Sequence, residues 1–434
     1  MSGAAPRVAI IGSGISGLAA AHALQGHADI GLFEAGAYFG GHTHTVDITL
    51  PTAQGPVTHG VDTGFLVFNE RTYPELIRLF AELDVATARS EMSFSVKAPG
   101  AFGASRSAGP PQARLGFLGG QRSTQSDERG GHTLEWSGSS LNSVFAQRRN
   151  LASWKFLRML RDIVRFNRVT TALATSGAEA AMVQTLADFL RAQNFSDEFR
   201  DWYFLPMMGC IWSCPTDQML QFPVATMIRF CHNHGLIQFT DRPQWWTVSG
   251  GARHYVEKIV GRIADKRLST PVLRVEHVPG TAIGARGSVR VITAAGTEHF
   301  DAVILAAHSD QSLALLGDAS AAERAVLGAV RYQPNRAVLH TDASVLPQKK
   351  LAWAAWNYER AAHSGAESSQ VCLHYLLNLL QPLPFAQPVL VSLNPLQEIA
   401  RKDIMGEYDY MHPVFDLAAT RAQKELPALQ GLNN

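Results

Sequence analysis

Apolar and polar positions in this chain fall into two textures. At the amino end, the run Val8-Ala-Ile-Ile breaks at Gly12, Gly14 and Gly17 and continues as an Ala-rich segment, Ile15 to Gln25. A second apolar run, Ile30 to Phe33, ends on Glu34. Short continuous apolar runs bounded by glycine read as buried strands, so the pattern predicts a strand from Arg7 to Ile11, a helix and a second strand. A polar hairpin-like stretch leads to Val61–Phe65. A helix over Tyr73–Leu83 then carries Leu76, Ile77, Leu79, Phe80 and Leu83 on one side.

The second texture is helical and aromatic-rich, from Leu151 to about Phe230. Between Leu151 and Val169 the cations Lys155, Arg158, Arg161, Arg165 and Arg168 step by three or four, opposite Trp154, Leu157, Leu160, Ile163 and Val164. Two readings follow: a surface helix with a solvated basic side, or a peripheral membrane contact through 151–169 on anionic lipid. Short strands return at Pro271–Val275, Val289–Thr293, Ala302–Leu305, Arg336–His340 and Val389–Leu393. Ala98 to His132 has almost no apolar periodicity and is expected to be a mobile insertion.

With 434 residues, 46% of them hydrophobic, the chain can bury a large core in two or three domains. A net charge of +1 gives no general attraction to nucleic acid. No apolar run is long enough to span a bilayer, and the first apolar segment is the glycine-broken strand and helix rather than a signal peptide, so a cytoplasmic protein is expected. Four cysteines do not suggest a disulfide framework and fit a reducing compartment. Cys210, Cys214, Cys231, His232 and His234 lack paired-knuckle spacing and read as core residues, with no metal site expected.

The chemistry lies in the glycines. Gly12 suits a tight turn, Gly14 a close approach of backbone to a diphosphate, and Gly17 close packing of helix on strand. Glu34 follows Gly12 by roughly 20 positions, the spacing of the acid that binds an adenosine ribose diol. No Arg follows it to receive a 2′-phosphate.

After Glu34-Ala35 the chain reaches the pair Gly40-Gly41 and then Thr43. This resembles the flavin-containing amine oxidase superfamily, which includes phytoene-type desaturases and protoporphyrinogen oxidase; His42 stands where that group carries Arg. The runs GGHTHTV, DTGFLVFNERTYPEL and WNYER are similar to a bacterial subgroup of NAD/FAD-binding oxidoreductases. The resemblance implies an α/β fold: a Rossmann-like FAD-binding domain (1–72 with 235–310) and an inserted α+β substrate domain (73–234 with 311–425). It implies FAD held by Gly12, Ser13, Gly14, Ser16, Gly17, Glu34, Ala35, Gly40, Gly41, His42, Thr43, Gly64 and Val272.

Arg336 aligns with the Lys that amine oxidases place near the flavin N5. Its other reading is a strand residue paired with a carboxylate. Members of the superfamily continue past the equivalent of Leu429-Gln-Gly431 into a segment that covers the isoalloxazine, and this chain is expected to lack that wall. The activity implied is oxidation or desaturation of a hydrophobic small molecule with hydride transfer to flavin. The alternatives are an amine oxidase and a non-catalytic nucleotide-binding protein. Trp202, Tyr203, Trp353, Trp356 and Tyr358 could line the cavity or fill the core. Nothing in the sequence sets the oligomeric state.

Overall fold

Arg7–Ile11 sits inside a four-stranded parallel sheet, ordered Asp265–Arg267, Asp29–Phe33, Arg7–Ile11, Ala302–Leu305, in the computed structural model. The structure describes residues 5–101, 132–238, 242–280, 287–361 and 371–432. Alternation sends Val8 and Ile10 to one face, where helices Ile15–Leu24 and Arg253–Val260 contribute Leu18, Ala21, Tyr255, Val256 and Ile259. Ala9 and Ile11 point the other way, onto an antiparallel meander of Val272–Val278, Ser288–Thr293 and Gly296–Phe300. Both faces of the parallel sheet are therefore covered, as such sheets require.

Helix Pro74–Glu82 joins this nucleotide-side core through Leu79 and Phe80, which pack with Val248 and Tyr255. The boundary expected at residue 72 thus falls too early: the amphipathic side of this helix finds its partner in the first domain, not the second.

The second part of the molecule is built on a seven-stranded sheet. Its order is Ile404–Val414, Arg331–His340, Leu390–Leu393, Cys372–Leu376, Trp356–Glu359, Phe94–Ala98, Leu134–Ser137. One face carries Leu339, Tyr358, Leu373 and Val391 into the largest core, with helices Trp154–Ser176, Leu205–Trp212 and Val224–Asn233. The opposite face mixes Val338, Leu376 and Leu390 with a buried polar row, His340, Asn357, Glu359, His374 and Ser392.

Helix Trp154–Ser176 starts on a Ser153 cap and ends at Gly177 in the left-handed region. Its buried stripe is Phe156, Met159, Ile163, Phe166 and Thr170, while Trp154, Leu157 and Val164 face outward. This corrects the apolar face expected from sequence. Two stripes at helical spacing compete, and Phe166, in ring contact with Phe195, Phe199 and Phe204, decides between them. Several cations of the helix are engaged: Arg158 pairs with Glu198, Arg161 with Asp162, and Arg165 lies over the Phe195 ring.

The expected insertion falls largely outside the described residues; Ala98 itself is buried and ends a strand. No helix among the described residues is long and apolar enough to cross a membrane.

Candidate dinucleotide site and adjoining cavity

The glycine turn has the geometry of a diphosphate cradle. Gly12 has φ +102°, and a β-carbon there would lie 2.7 Å from the Ala306 carbonyl oxygen. At Gly17 a β-carbon would come 2.0 Å from the Gly12 oxygen, so helix and turn touch backbone to backbone. Gly14 is different: nothing lies within 4 Å of the position a β-carbon would take. Gly14 is also the N-cap of helix Ile15–Leu24, which has no side-chain cap and no acid in its first turn. The first-turn N–H groups, including that of exposed Ser16, lack intrahelical acceptors and face this open space with the positive end of the helix dipole. Gly41, at φ +58°, approaches from the far side, its β-carbon position 3.2 Å from the Gly14 α-carbon.

Glu34 closes the other side of the glycine turn. Its Oε2 accepts from Ser13 N (3.0 Å) and Ser13 Oγ (2.5 Å), and Oε1 accepts from Gly36 N (2.7 Å). Ser13 Oγ in turn accepts from Gly40 N at 3.1 Å. Oε2 has both lone-pair sites occupied, and Oε1, with one bond, keeps an acceptor site free. Exposed Ala35 follows. Residues 269–270 run alongside, with Ser269 N donating to Gly36 O and Thr270 N to Glu34 O, and Val272, two residues on, is buried in the same core as Phe33.

The Gly40–Gly64 region builds the other end. Thr43 Oγ1 and Tyr255 Oη are 2.5 Å apart. A β-carbon on Gly64 would fall 2.2 Å from His42 O, and Phe65 N donates to that oxygen at 2.9 Å. Asp62, just before, accepts from Thr45 Oγ1, Ala252 N and Gln381 Nε2 and so ties this loop to the turn at Gly250-Gly251. Burial pushes the Asp62 carboxyl up to about 6, against the pull of those three donors.

Around His42 stand groups that the sequence reading missed. Its ring lies 5.0 Å from that of Tyr410 and 5.9 Å from those of His308 and His412. The His42 Nε2 atom is buried with no partner. Burial, with help from His308, lowers the His42 pKa, and burial brings His412 down to about 4. Tyr410 Oη bonds Thr63 Oγ1 at 2.6 Å, and His412 Nδ1 lies 3.2 Å from Asn335 Nδ2. The available signal was the run Tyr408-Asp-Tyr410-Met-His412, whose period of two puts both tyrosines and the histidine on one face of a strand.

From this point a cavity of about 760 Å³ runs along the large-sheet core. Gly64, Phe65, His412 and Pro413 line its nucleotide end; Trp136, Tyr203, Met207, Ile211, Phe230, Trp245, Trp356 and Tyr375 form walls further in. Trp356 and Tyr203 thus line it, Trp202 and Tyr358 belong to the core, and Trp353 packs on the opposite face of the large sheet.

Arg336 faces solvent. Its side chain is 53% exposed and pairs with Glu407 Oε2 through Nε (3.0 Å) and an Nη (2.7 Å). This corrects its candidacy as a flavin-side group: strand alternation turns Arg336 outward and its neighbour Asn335 inward. Cys210, Cys214 and Cys231 are buried, and burial pushes Cys214 and Cys231 up to about 12. The donor atoms that do converge among the described residues are those of Glu359, Cys372 and His374, on the polar row. There Lys97 Nζ and His374 Nε2 meet Glu359 at 2.9 and 3.2 Å.

The geometry agrees with the comparisons. Residues 10–83 match the model of an NAD(P)-binding Rossmann-like domain. No curated protein matches in sequence. Among solved structures, the CLA-producing fatty acid isomerase from P. acnes is 15% identical, with a TM-score of 0.59 over 99% of this chain and 92% of that one. Cyclohexylamine oxidase from Brevibacterium oxydans IH-35A is 15% identical, with a TM-score of 0.60 over 96% and 90%. Putrescine oxidase bound to putrescine is 14% identical, with a TM-score of 0.61 over 98% and 90%. The chain therefore shares the fold of these solved enzymes, a Rossmann-like domain joined to a second part built on a large mixed sheet.

Proposed function

We propose that this protein is a FAD-dependent oxidoreductase that oxidises or desaturates a hydrophobic small molecule. One observation carries the reading: the apolar cavity ends on Gly64 and His412, the same residues that flank His42 at the end of the glycine cradle. Cradle and cavity meet where a flavin ring and a substrate would have to meet.

FAD, when bound, supplies the hydride acceptor. The chain's own residues bind, orient and exclude water. The first-turn N–H groups after Gly14 and the backbone of Gly41 receive the diphosphate, Glu34 the ribose diol, and Val272 backs the adenine side. His42 Nε2, buried and unpartnered, is a hydrogen-bonding atom left free for a ligand group. Trp136, Met207, Ile211 and Tyr375 give the substrate an apolar lining, which favours a C–H bond in a nonpolar molecule over a charged amine. Glu91, exposed and bonded to Ser93, is the one carboxylate among the described lining residues, which argues against an ammonium site deep in the cavity.

The test is a titration of the intact, folded protein with FAD, followed by anaerobic incubation with acyl or isoprenoid lipids and, separately, with primary amines. The proposal expects uptake of one flavin and its bleaching by a lipid. Bleaching by amines alone would make the protein an amine oxidase. A folded protein that ignores FAD would overturn the reading in favour of a non-catalytic binding module.

A further inference from the structure

One end of the substrate domain exposes large apolar side chains that the fold leaves uncovered. Leu141 is 80% exposed, Trp154 71%, Leu151 54% and Leu351 50%. They share a neighbourhood. The short helix Leu141–Val144 packs against the turn Lys350–Ala352, and both pack on strand Leu134–Ser137. Phe145 meets Phe156, in the same helical turn as Trp154, at 5.9 Å, and Leu151 lies in the turn Arg148–Ala152 that leads into that helix. The segment Gln348–Lys349 is pinned from below, its two N–H groups donating to the buried Glu135 carboxylate. The display is therefore held by structure.

Charge sets the partner. Residues 138–161 and 343–358 contain no Asp or Glu. Exposed Arg148, Arg149, Lys155, Lys349 and Lys350 are interleaved with the apolar residues. Apolar groups including a Trp, rimmed by cations on two stretches that carry no acid, match an interface with anionic lipid, where apolar insertion and electrostatic attraction add. The patch also adjoins the cavity. Gly138 and Ser139 are both exposed and both line it, and the next residue, Ser140, caps the short helix that presents Leu141.

We propose that this surface docks on the headgroup layer of an anionic bilayer and sets the Gly138–Ser139 mouth of the cavity at the lipid. The second half rests on the oxidoreductase reading of the cavity; the docking does not.

The full-length protein is sedimented with vesicles of equal parts phosphatidylcholine and phosphatidylglycerol, and with phosphatidylcholine alone. The expected result is binding to the anionic vesicles, release by salt, and at least tenfold weaker partitioning for Trp154→Glu and for Lys349→Glu/Lys350→Glu. These side chains are exposed, so both variants should melt with the parent. Parent protein that stays in solution, or folded variants that bind like the parent, would overturn the proposal. So would a parent that self-associates and ignores vesicles while Trp154→Glu is monomeric, since the patch would then belong to a second copy. Sedimentation is run with and without added FAD, so intact vesicle binding by a protein that takes up no flavin would fail the oxidoreductase reading alone.

Discussion

Gly64 and His42 stand in direct backbone contact: a β-carbon on Gly64 would be 2.2 Å from the His42 carbonyl oxygen, which already accepts from Phe65 N. The contact joins the cavity floor to the loop that closes the nucleotide cradle. Gly64→Ala forces the two backbones apart and is expected to cost about 1–3 kcal/mol. It should also weaken FAD retention, because His42 and Gly41 move with the loop. Urea unfolding and flavin titration of one preparation check both outcomes; unchanged values in both would separate the loop from the site.

Gly12 and Gly14 are two residues apart and should fail differently. Alanine at Gly12 meets Ala306 at a φ of +102°, a conformation non-glycine residues rarely hold. Gly12→Ala is expected to destabilise the flavin-free protein by about 1–3 kcal/mol. Alanine at Gly14 meets no protein atom, and φ there is −63°. Gly14→Ala should therefore cost the flavin-free protein only the difference between Gly and Ala as an N-cap, about 0.5–1 kcal/mol. On the proposed function it puts a methyl group in the path of the diphosphate, so FAD affinity should fall at least tenfold, or about 1.4 kcal/mol. A Gly14→Ala protein that binds FAD normally would remove the diphosphate from that space.

What could be read from sequence follows how local the determining interaction is. The strands at Arg7–Ile11 and Ala302–Leu305 run to their predicted ends, because a buried parallel strand is a short apolar run whose boundaries are polar or glycine. Glu34 and Gly41 were also legible, being tied to Gly12 and Gly14 through one turn and one loop. The His42 surroundings were not. Tyr410 and His412 reach it from strand Ile404–Val414, which went unpredicted because it forms by pairing with Arg331–His340 far away in sequence. Arg336 shows the cost of a shift of one: with a period of two, the adjacent residue faces the opposite side. The turned face of helix Trp154–Ser176 has a similar origin, since a core formed by distant phenylalanines chose between two apolar stripes.

Arg336→Ala tests the correction directly. An exposed pair such as Arg336–Glu407 contributes at most about 1 kcal/mol. The variant should unfold close to the parent, bind FAD as tightly and be reduced by substrate at a rate within about twofold, the spread of an uninvolved surface change. A large loss in the rate of flavin reduction with binding intact would return Arg336 to the reacting centre.

His412 predicts how stability depends on pH. Burial holds its pKa near 4, whereas the unfolded chain protonates at about 6.5. Above the unfolded value both states are neutral and His412 contributes nothing to the pH dependence. Between the two values the unfolded chain takes up a proton that the folded chain refuses, so folding weakens as pH falls, by up to about 1.4 kcal/mol per pH unit, and the loss levels off below pH 4. Asp62 acts with the opposite sign: its raised pKa favours folding at low pH and withdraws that help as pH rises from about 4 to about 6. Asp62 is common to parent and variant, so it cancels in a comparison. His412→Gln keeps a partner for Asn335 and removes the titration, and urea unfolding at pH 7.5 and pH 5, set on either side of the ordinary histidine pKa of about 6.5, should show a smaller acid-side loss for the variant. Equal losses in the two proteins would mean that the His412 ring is hydrated and titrates as an ordinary histidine, and the neutral cluster around His42 would lose its basis.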